Sequence, residues 1–154
     1  MYRLISALIL VLLIVTPTLG QQSLVGTYKL VSLVPEVDGT PFQQMGKVPH
    51  GYLVLTPTRF ITFVTSENRK FGSSMTEKAA LFDSLIGYAG LYRVEGDKFI
   101  FTTEVSWVEN SVATTGVETW QLSGNRLTMT IGPMPWPRDP SKTLIRREVW
   151  EKIE

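Results

Sequence analysis

VGTYKLVSLV, residues 25–34, is the stretch from which the fold follows. It is rich in β-branched and aromatic residues, which favour strands, and it is the first such segment after an apolar leader. Similar short segments follow at intervals of roughly ten residues, separated by Pro, Gly, Asn and Asp. We therefore expect an antiparallel β-protein in which residues 25–34 form the first strand.

The whole pattern predicts eight strands, at residues 25–34, 50–56, 59–66, 88–95, 97–106, 114–122, 125–131 and 143–151. Three of the joins are two-residue turns, Pro57-Thr58, Gly96-Asp97 and Gly124-Asn125, and such turns favour hairpins. An open sheet would leave two unpaired edges, so we predict a single mainly-β domain, an eight-stranded antiparallel barrel. Its first and last strands should then pair. A two-sheet sandwich is the alternative.

One short helix is predicted between the third and fourth strands. Residues 74–77, SMTE, have the form of a capping box, which satisfies backbone N–H groups at a helix start. Gly87 ends the segment, and an apolar stripe recurs at helical spacing at Met75, Ala79, Phe82 and Ile86. We expect this helix either to close an end of the barrel as a lid or plug, or to cover its outer wall.

The first twenty residues have the composition of a secretory signal peptide. Arg3 precedes an apolar run over residues 4–15, and small residues precede a cleavage position ahead of Gln21. The run is about twelve residues long, against roughly 20 for a spanning helix, so no stable membrane anchor is expected after its removal. There is no cysteine to carry a lipid. We expect an exported protein, periplasmic or extracellular, with residues 1–20 as the leader and 24–154 as the barrel domain.

Composition argues against several classes of function. Lys and Arg number 15 against 14 Asp and Glu, so no basic field exists to attract nucleic acid. The single histidine, His50, and the lack of cysteine leave no His-His or thiolate metal site and argue against a Ser-His-Asp triad. No Gly-rich phosphate loop is present. We predict no cofactor and no metal, and the oligomeric state is left open.

Five motifs carry a family resemblance: GTYKLVS at 26–32, GYLVLTP at 51–57, EKAA at 77–80, GYAGLY at 87–92 and VWE at 149–151. In order and spacing they resemble the bacterial lipocalin-like domain family, from Leu24 to the C-terminus. The resemblance implies a small calycin-type barrel, and the binding of a small molecule is inferred mainly from that shape. Lipocalins proper usually have Trp at the position of Tyr28, packed against a basic residue of the last strand. The resemblance implies Arg146 or Arg147 for that basic residue.

The candidate ligand contacts are aromatic or charged residues, most of them within predicted strands. Glu104 and Glu118 lie inside strands, and an inward carboxylate would need a partner such as Arg146 or Arg147. The alternative for each is a surface ion pair. Tyr88 and Tyr92 share one face of their strand. The complete predicted set is Tyr52, Tyr88, Tyr92, Glu104, Trp107, Glu118, Trp120, Trp136 and Arg146.

The Pro-rich segment 132–140, which contains Trp136, is predicted as a long loop that folds over a barrel mouth. Two functions remain open. The first is a binding protein that holds a small, mostly apolar molecule inside the barrel. The second is a small-barrel enzyme, of isomerase or cyclase type, that uses Tyr and Glu for acid–base chemistry. Some relatives have histidine where this chain has residues 101–103 and arginine near Glu118, and these departures favour the binding protein.

Overall fold

The computed structural model describes residues 19–42, 45–136 and 139–154, and most of the predicted signal peptide lies outside them. In this part of the chain, no helix is both long enough and apolar enough to span a bilayer. The elements in chain order are α1 (Leu19–Leu24), β1 (Gly26–Val37), β2 (Thr40–Pro41), β3 (His50–Leu55), β4 (Arg59–Thr65), α2 (Met75–Asp83), β5 (Leu85–Glu95), β6 (Lys98–Ser106), a 3₁₀ turn (Glu109–Ser111), β7 (Thr115–Ser123), β8 (Arg126–Trp136) and β9 (Asp139–Lys152).

The eight long strands form a closed antiparallel barrel. Each pairs with its neighbour in the order β1-β3-β4-β5-β6-β7-β8-β9, and β9 returns to pair with β1. That seam runs from Tyr28, opposite Lys152, to Val37, opposite Leu144. The two-residue β2 only folds back on the end of β1. The predicted barrel and its seam are confirmed, and the sandwich is excluded.

Tight hairpins cluster at one end of the barrel, as the sequence predicts. Gly96 and Gly124 each have a φ of +61°, which glycine adopts without steric cost, and each opens a two-residue turn. A third turn, between β3 and β4, is closed by a hydrogen bond from the Thr56 amide to the Arg59 carbonyl. We call this the closed end and the opposite end the open end.

Helix α1 covers the closed end, and the sequence analysis did not predict it. Leu24 and Tyr28 are completely buried, and the Tyr28 hydroxyl donates to the Leu24 carbonyl at 2.8 Å. Gln21 Nε2 donates to the carbonyl oxygens of Pro57 and Tyr92. These hydrogen bonds hold α1 across the closed end of the barrel.

The basic residue beside Tyr28 is Lys152, so the expectation of Arg146 or Arg147 is wrong. Lys152 Nζ lies 5.9 Å from the centre of the Tyr28 ring and donates to the Val25 carbonyl. Arg146 instead extends into the barrel interior, and Arg147 is exposed. Inward and outward positions alternate along β9, so the two arginines take opposite faces.

Helix α2 begins as predicted but does not pack as predicted. The capping box is present: Ser74 Oγ accepts from the Glu77 amide, and the Glu77 carboxylate accepts from the Ser74 amide. No residue of α2 is buried, so the helix is neither a plug nor a packed cover for the wall. Its aromatic contact is Phe82 with Trp107, with ring centres 4.6 Å apart. It lies between β4 and β5 at the open end.

The Pro-rich segment is mostly strand, so the prediction of a long loop over 132–140 is wrong. Strand β8 continues to Trp136 and β9 begins at Asp139, with Met134 opposite Leu144. Prolines are tolerated here because the β8–β9 register is irregular at two places, which removes the need for some ladder hydrogen bonds. Residues 137–138 lie outside the described part of the chain.

The core fills the barrel from the closed end upward. Trp150 and Leu127 are fully buried beside the seam, and Tyr92 stacks on Phe99 with ring centres 4.7 Å apart. The outer wall, by contrast, leaves large side chains half exposed on β3 and β4, at Tyr52, Ile61 and Phe63.

Candidate functional site

Charged side chains occupy the middle of the barrel interior. Glu118 is the buried residue of β7, and Glu148 is buried on β9. Arg146 precedes Glu148 by two residues and therefore shares its face. The register places Glu118 opposite Ile131, and Ile131 opposite Arg146. The sheet thus brings one acid from β7 and a base and an acid from β9 together.

These groups form a connected network. Arg146 Nη2 lies 3.3 Å from Glu118 Oε1 and 3.4 Å from the Tyr88 hydroxyl, to both of which it donates. Arg146 Nε lies 2.9 Å from Glu148 Oε1, at an angle too poor for a hydrogen bond. Trp150 Nε1 donates to Glu148 Oε2 at 3.0 Å. We call Tyr88, Glu118, Arg146 and Glu148 the interior cluster.

Burial changes the acid–base properties of the cluster. Burial, followed by the nearby Glu148 carboxylate, raises the pKa of Glu118 to about 7, against the opposing effects of the Arg146 charge and hydrogen bond. Burial also raises the pKa of the Tyr88 hydroxyl. Burial alone would lower the pKa of Arg146, but Glu148, Tyr88 and Glu118 outweigh it and the pKa is raised. Near neutral pH, Glu118 therefore exchanges a proton while Arg146 keeps its charge.

A small cavity lies against the interior cluster, with a volume of about 10 Å³. That space holds about one water molecule. Aromatic rings close around it edge to face: Phe60 lies 5.5 Å from Phe101 and 5.6 Å from Tyr88, between ring centres. The lining residues are Leu53, Phe60, Thr62, Tyr88, Phe99, Phe101, Glu118, Met129 and Glu148.

The structure brings together three of the nine predicted site residues, Tyr88, Glu118 and Arg146. Tyr92 and Trp120 are also in the barrel, but near the closed end. The Tyr92 hydroxyl donates to the Thr56 carbonyl at 2.7 Å, and its pKa is raised by burial to about 12. Trp120 lies beneath Gly20 of α1, and its indole N–H has no hydrogen-bond partner among the described residues.

The other four predicted residues lie away from the interior cluster. Tyr52 is on the outer wall, more than half exposed. Glu104 is also outside and forms a surface ion pair with Arg59, the alternative that the sequence left open. Trp107 packs on α2, and Trp136 meets Phe42 edge to face at 6.0 Å. None of these four lines the cavity.

Glu148, Thr62 and the rings of Phe60, Phe99 and Phe101 that line the cavity were not predicted from the sequence. Glu148 had a detectable signal, since it stands two residues from both Arg146 and Trp150 and therefore shares their face. Thr62 looks like any strand threonine. Nothing in the sequence shows that it lines the same cavity as Glu118, because that placement depends on the curvature of the closed barrel.

A comparison with protein-family models finds the lipocalin-like domain over residues 25–153. The chain belongs to the lipocalin-like domain family. The resemblance drawn from the five sequence motifs is thereby confirmed, and the matched range covers every strand of the barrel. A search of curated proteins finds no match.

This lipocalin-like domain offers few metal ligands. Within residues 19–42, 45–136 and 139–154, no three His, Cys, Asp or Glu side chains are grouped so that they could hold a metal ion. The two interior carboxylates are joined instead by a guanidinium, Arg146. The side chains at the cavity can form hydrogen bonds, pair charges and exchange a proton.

Proposed function

We propose that the chain is an exported lipocalin-like protein that binds a small, mostly apolar molecule inside its barrel. The interior cluster beside a cavity walled by aromatic rings carries this proposal. A buried ion pair is often no more stabilising than apolar residues of the same volume, so stability alone does not account for Arg146 with Glu118 and Glu148. Small-molecule sites typically combine aromatic rings, which contact the apolar part of the ligand, with a few polar groups that bind its polar end.

A ligand can bind only if the aromatic rings around the cavity move apart. A cavity of about 10 Å³ excludes anything much larger than water. The Phe101 ring lies over Gly116, where an added Cβ would be 2.3 Å from its Cζ. Phe101 therefore occupies space beside the cavity that a side chain at position 116 would otherwise fill. We expect the ligand to take the place of this ring as Phe101 rotates.

A fluorescence titration with the apolar probe N-phenyl-1-naphthylamine tests this function. Phe101→Ala removes the ring that fills the ligand space, so we expect the variant to bind the probe more tightly than the wild type. Phe63→Ala is the matched control, because Phe63 is half exposed on the outer wall. Equal binding by all three proteins, or loss of binding in Phe63→Ala alone, would place the probe outside the barrel and contradict the proposal.

Export is the second part of the proposed function. The leader-like composition of residues 1–20 supports cleavage ahead of Gln21. Gln21 and Leu24 make the α1 contacts with the barrel, and both would remain after that cleavage. The intact mass of the protein from its own host should match a chain that begins at Gln21. A mass that includes residues 1–20 would contradict removal of the leader.

A small-barrel enzyme is the second candidate, and one observation favours it. Glu118, whose pKa is raised to about 7, lines the same cavity as Tyr88. A carboxyl group with that pKa can both accept and donate a proton near neutral pH. Incubation with an apolar ketone in D₂O tests for it: an enzyme would exchange hydrogen next to the carbonyl, and Glu118→Gln would abolish the exchange. No exchange in the wild type would leave only the binding protein.

A further inference from the structure

The cavity wall is acidic, although the interior cluster contains an arginine. Both Glu118 and Glu148 line the cavity, whereas Arg146 does not. Arg146 contacts both carboxylates without itself lining that space. A ligand in the cavity would therefore meet carboxylates before it met the guanidinium.

Two acceptors on this wall have no partner. Arg146 contacts Oε1 of Glu118, and within the described chain Oε2 of Glu118 has no hydrogen bond. The Thr62 hydroxyl likewise forms no hydrogen bond with the residues that the structure describes. Both residues are at least nine-tenths buried. Within the described chain, the fully enclosed side-chain atoms without a partner are Trp120 Nε1 and Arg146 Nε, and these two acceptors are not among them. A donor placed in the cavity that both residues line would complete their hydrogen bonds.

The charges and the rings favour a cation as that donor. With Glu118 ionised, the interior cluster has two carboxylates and one guanidinium, which leaves one negative charge unbalanced. The cavity is also lined by the rings of Phe60, Phe99 and Phe101, whose π faces attract cations. An ammonium group is about the size of a water molecule and donates three hydrogen bonds, so it fits both the volume and the free acceptors.

We propose that the barrel selects lipophilic amines, with the protonated amine against Glu118 and Thr62 and the apolar body in place of the Phe101 ring. This inference rests on the proposed function, since it names the chemical class of the ligand at the same site. The amine supplies the positive charge that the interior cluster lacks. A carboxylate head would instead meet two like charges, and an alcohol would leave the charge unbalanced.

Calorimetric titration with three ligands of equal chain length tests the inference: hexylamine, 1-hexanol and hexanoate. We expect hexylamine to bind at least about tenfold more tightly than hexanol, as charge-assisted hydrogen bonds exceed neutral ones, and hexanoate to bind most weakly. Glu118→Gln should remove the preference for the amine but leave hexanol binding in place. Glu104→Gln, on the outer wall, is the matched control and should change nothing.

The pH dependence of the wild type gives a second readout that needs no variant. Glu118 faces Arg146 and Glu148 from β9 and Tyr88 from β5, and the pKa of Glu118 is raised by burial to about 7. Hexylamine binding should therefore strengthen from about pH 6 to about pH 8, while hexanol binding stays constant.

The possible outcomes distinguish failure of amine selection from failure of the proposed binding function. Equal affinity for hexanol and hexylamine would overturn amine selection and leave apolar binding intact. Tightest binding of hexanoate would make Arg146 the anchor and also overturn it. No binding of any of the three, together with no binding of the naphthylamine probe, would overturn both proposals.

Discussion

Arg146 Nη2 and Glu118 Oε1 lie 3.3 Å apart across the barrel interior, although strand β8 separates their two strands in the sheet. Curvature brings them together, because side chains on the concave face of a closed barrel converge. Residue 131 of β8 is the shared neighbour in the register of both strands. The pair therefore depends on the register of β7, β8 and β9, so it reports on this part of the barrel as well as on the site.

The pH dependence of stability should follow Glu118. Its pKa rises from 4.5 to about 7 on folding, so its protonated form is favoured in the folded state. That contribution is fully present below about pH 4.5 and is lost as the pH rises through about 7, a change of roughly 3 kcal/mol. Glu118→Gln cannot ionise and should lose less stability between about pH 5 and about pH 8 than the wild type. Urea unfolding of both proteins at about pH 5 and about pH 8 measures this difference. An equal change in the free energy of unfolding for the two proteins would contradict the prediction.

Glu104 should matter far less than Glu118. It pairs with Arg59 on the outer wall, where water screens both charges. Exposed pairs of this kind contribute about 0–1 kcal/mol, so Glu104→Gln should lower the free energy of unfolding by less than about 1 kcal/mol. A thermal or urea unfolding curve would show it. A loss as large as that of a core variant would mean that Glu104 has an inward role.

Tyr28 should be a main support of the seam. Its ring is fully buried between Leu24 and Lys152. Tyr28→Ala should cost roughly 3–5 kcal/mol, as truncations of buried aromatic rings do. Tyr28→Phe keeps the ring and loses one hydrogen bond, so it should cost about 1 kcal/mol. A loss below about 1 kcal/mol for Tyr28→Ala in urea unfolding would contradict a structural role for this residue at the seam.

Two glycines of the barrel should respond differently to alanine. A Cβ at Gly90 would lie 1.9 Å from the Thr102 carbonyl oxygen, a backbone atom that cannot move alone. A Cβ at Gly116 would meet the Phe101 ring, which can rotate. Gly116→Ala should therefore cost roughly 1–3 kcal/mol and Gly90→Ala more than that. Guanidinium unfolding of both variants measures the order, and the reverse order would contradict the two environments.

The sequence predicted what depends on local pattern. Alternation and turn glycines such as Gly96 and Gly124 gave the strands, the hairpins and hence the closed barrel. The ends were harder. Residues 19–24, LGQQSL, span the predicted cleavage position and carry no clear helical pattern, and contacts such as that of Tyr28 with the Leu24 carbonyl hold them as a helix over the barrel. Segment 132–140 resembled a loop because prolines are rare in strands, but the irregular register accommodates them.

The candidate site was likewise predictable only where a local sequence pattern determines it. Arg146 or Arg147 was predicted as the partner of an inward carboxylate, and the structure pairs Arg146 with Glu118. Periodicity could not decide between Glu104 and Glu118, because each alternates with apolar residues and the face that each strand turns inward is set by its neighbours. The edge-to-face contact of Phe60 with Phe101 joins strands far apart in sequence, and no local pattern encodes it.

Native mass spectrometry of the protein purified from its own host is the decisive test of the claim that the barrel interior is a ligand site. We predict one small molecule per chain, carrying an amine, that dissociates when the barrel unfolds and is lost from Glu118→Gln but retained by Glu104→Gln. A bare chain mass for the wild type, from a protein that also fails to bind hexylamine or the naphthylamine probe, would contradict the claim and make the interior cluster a purely structural feature.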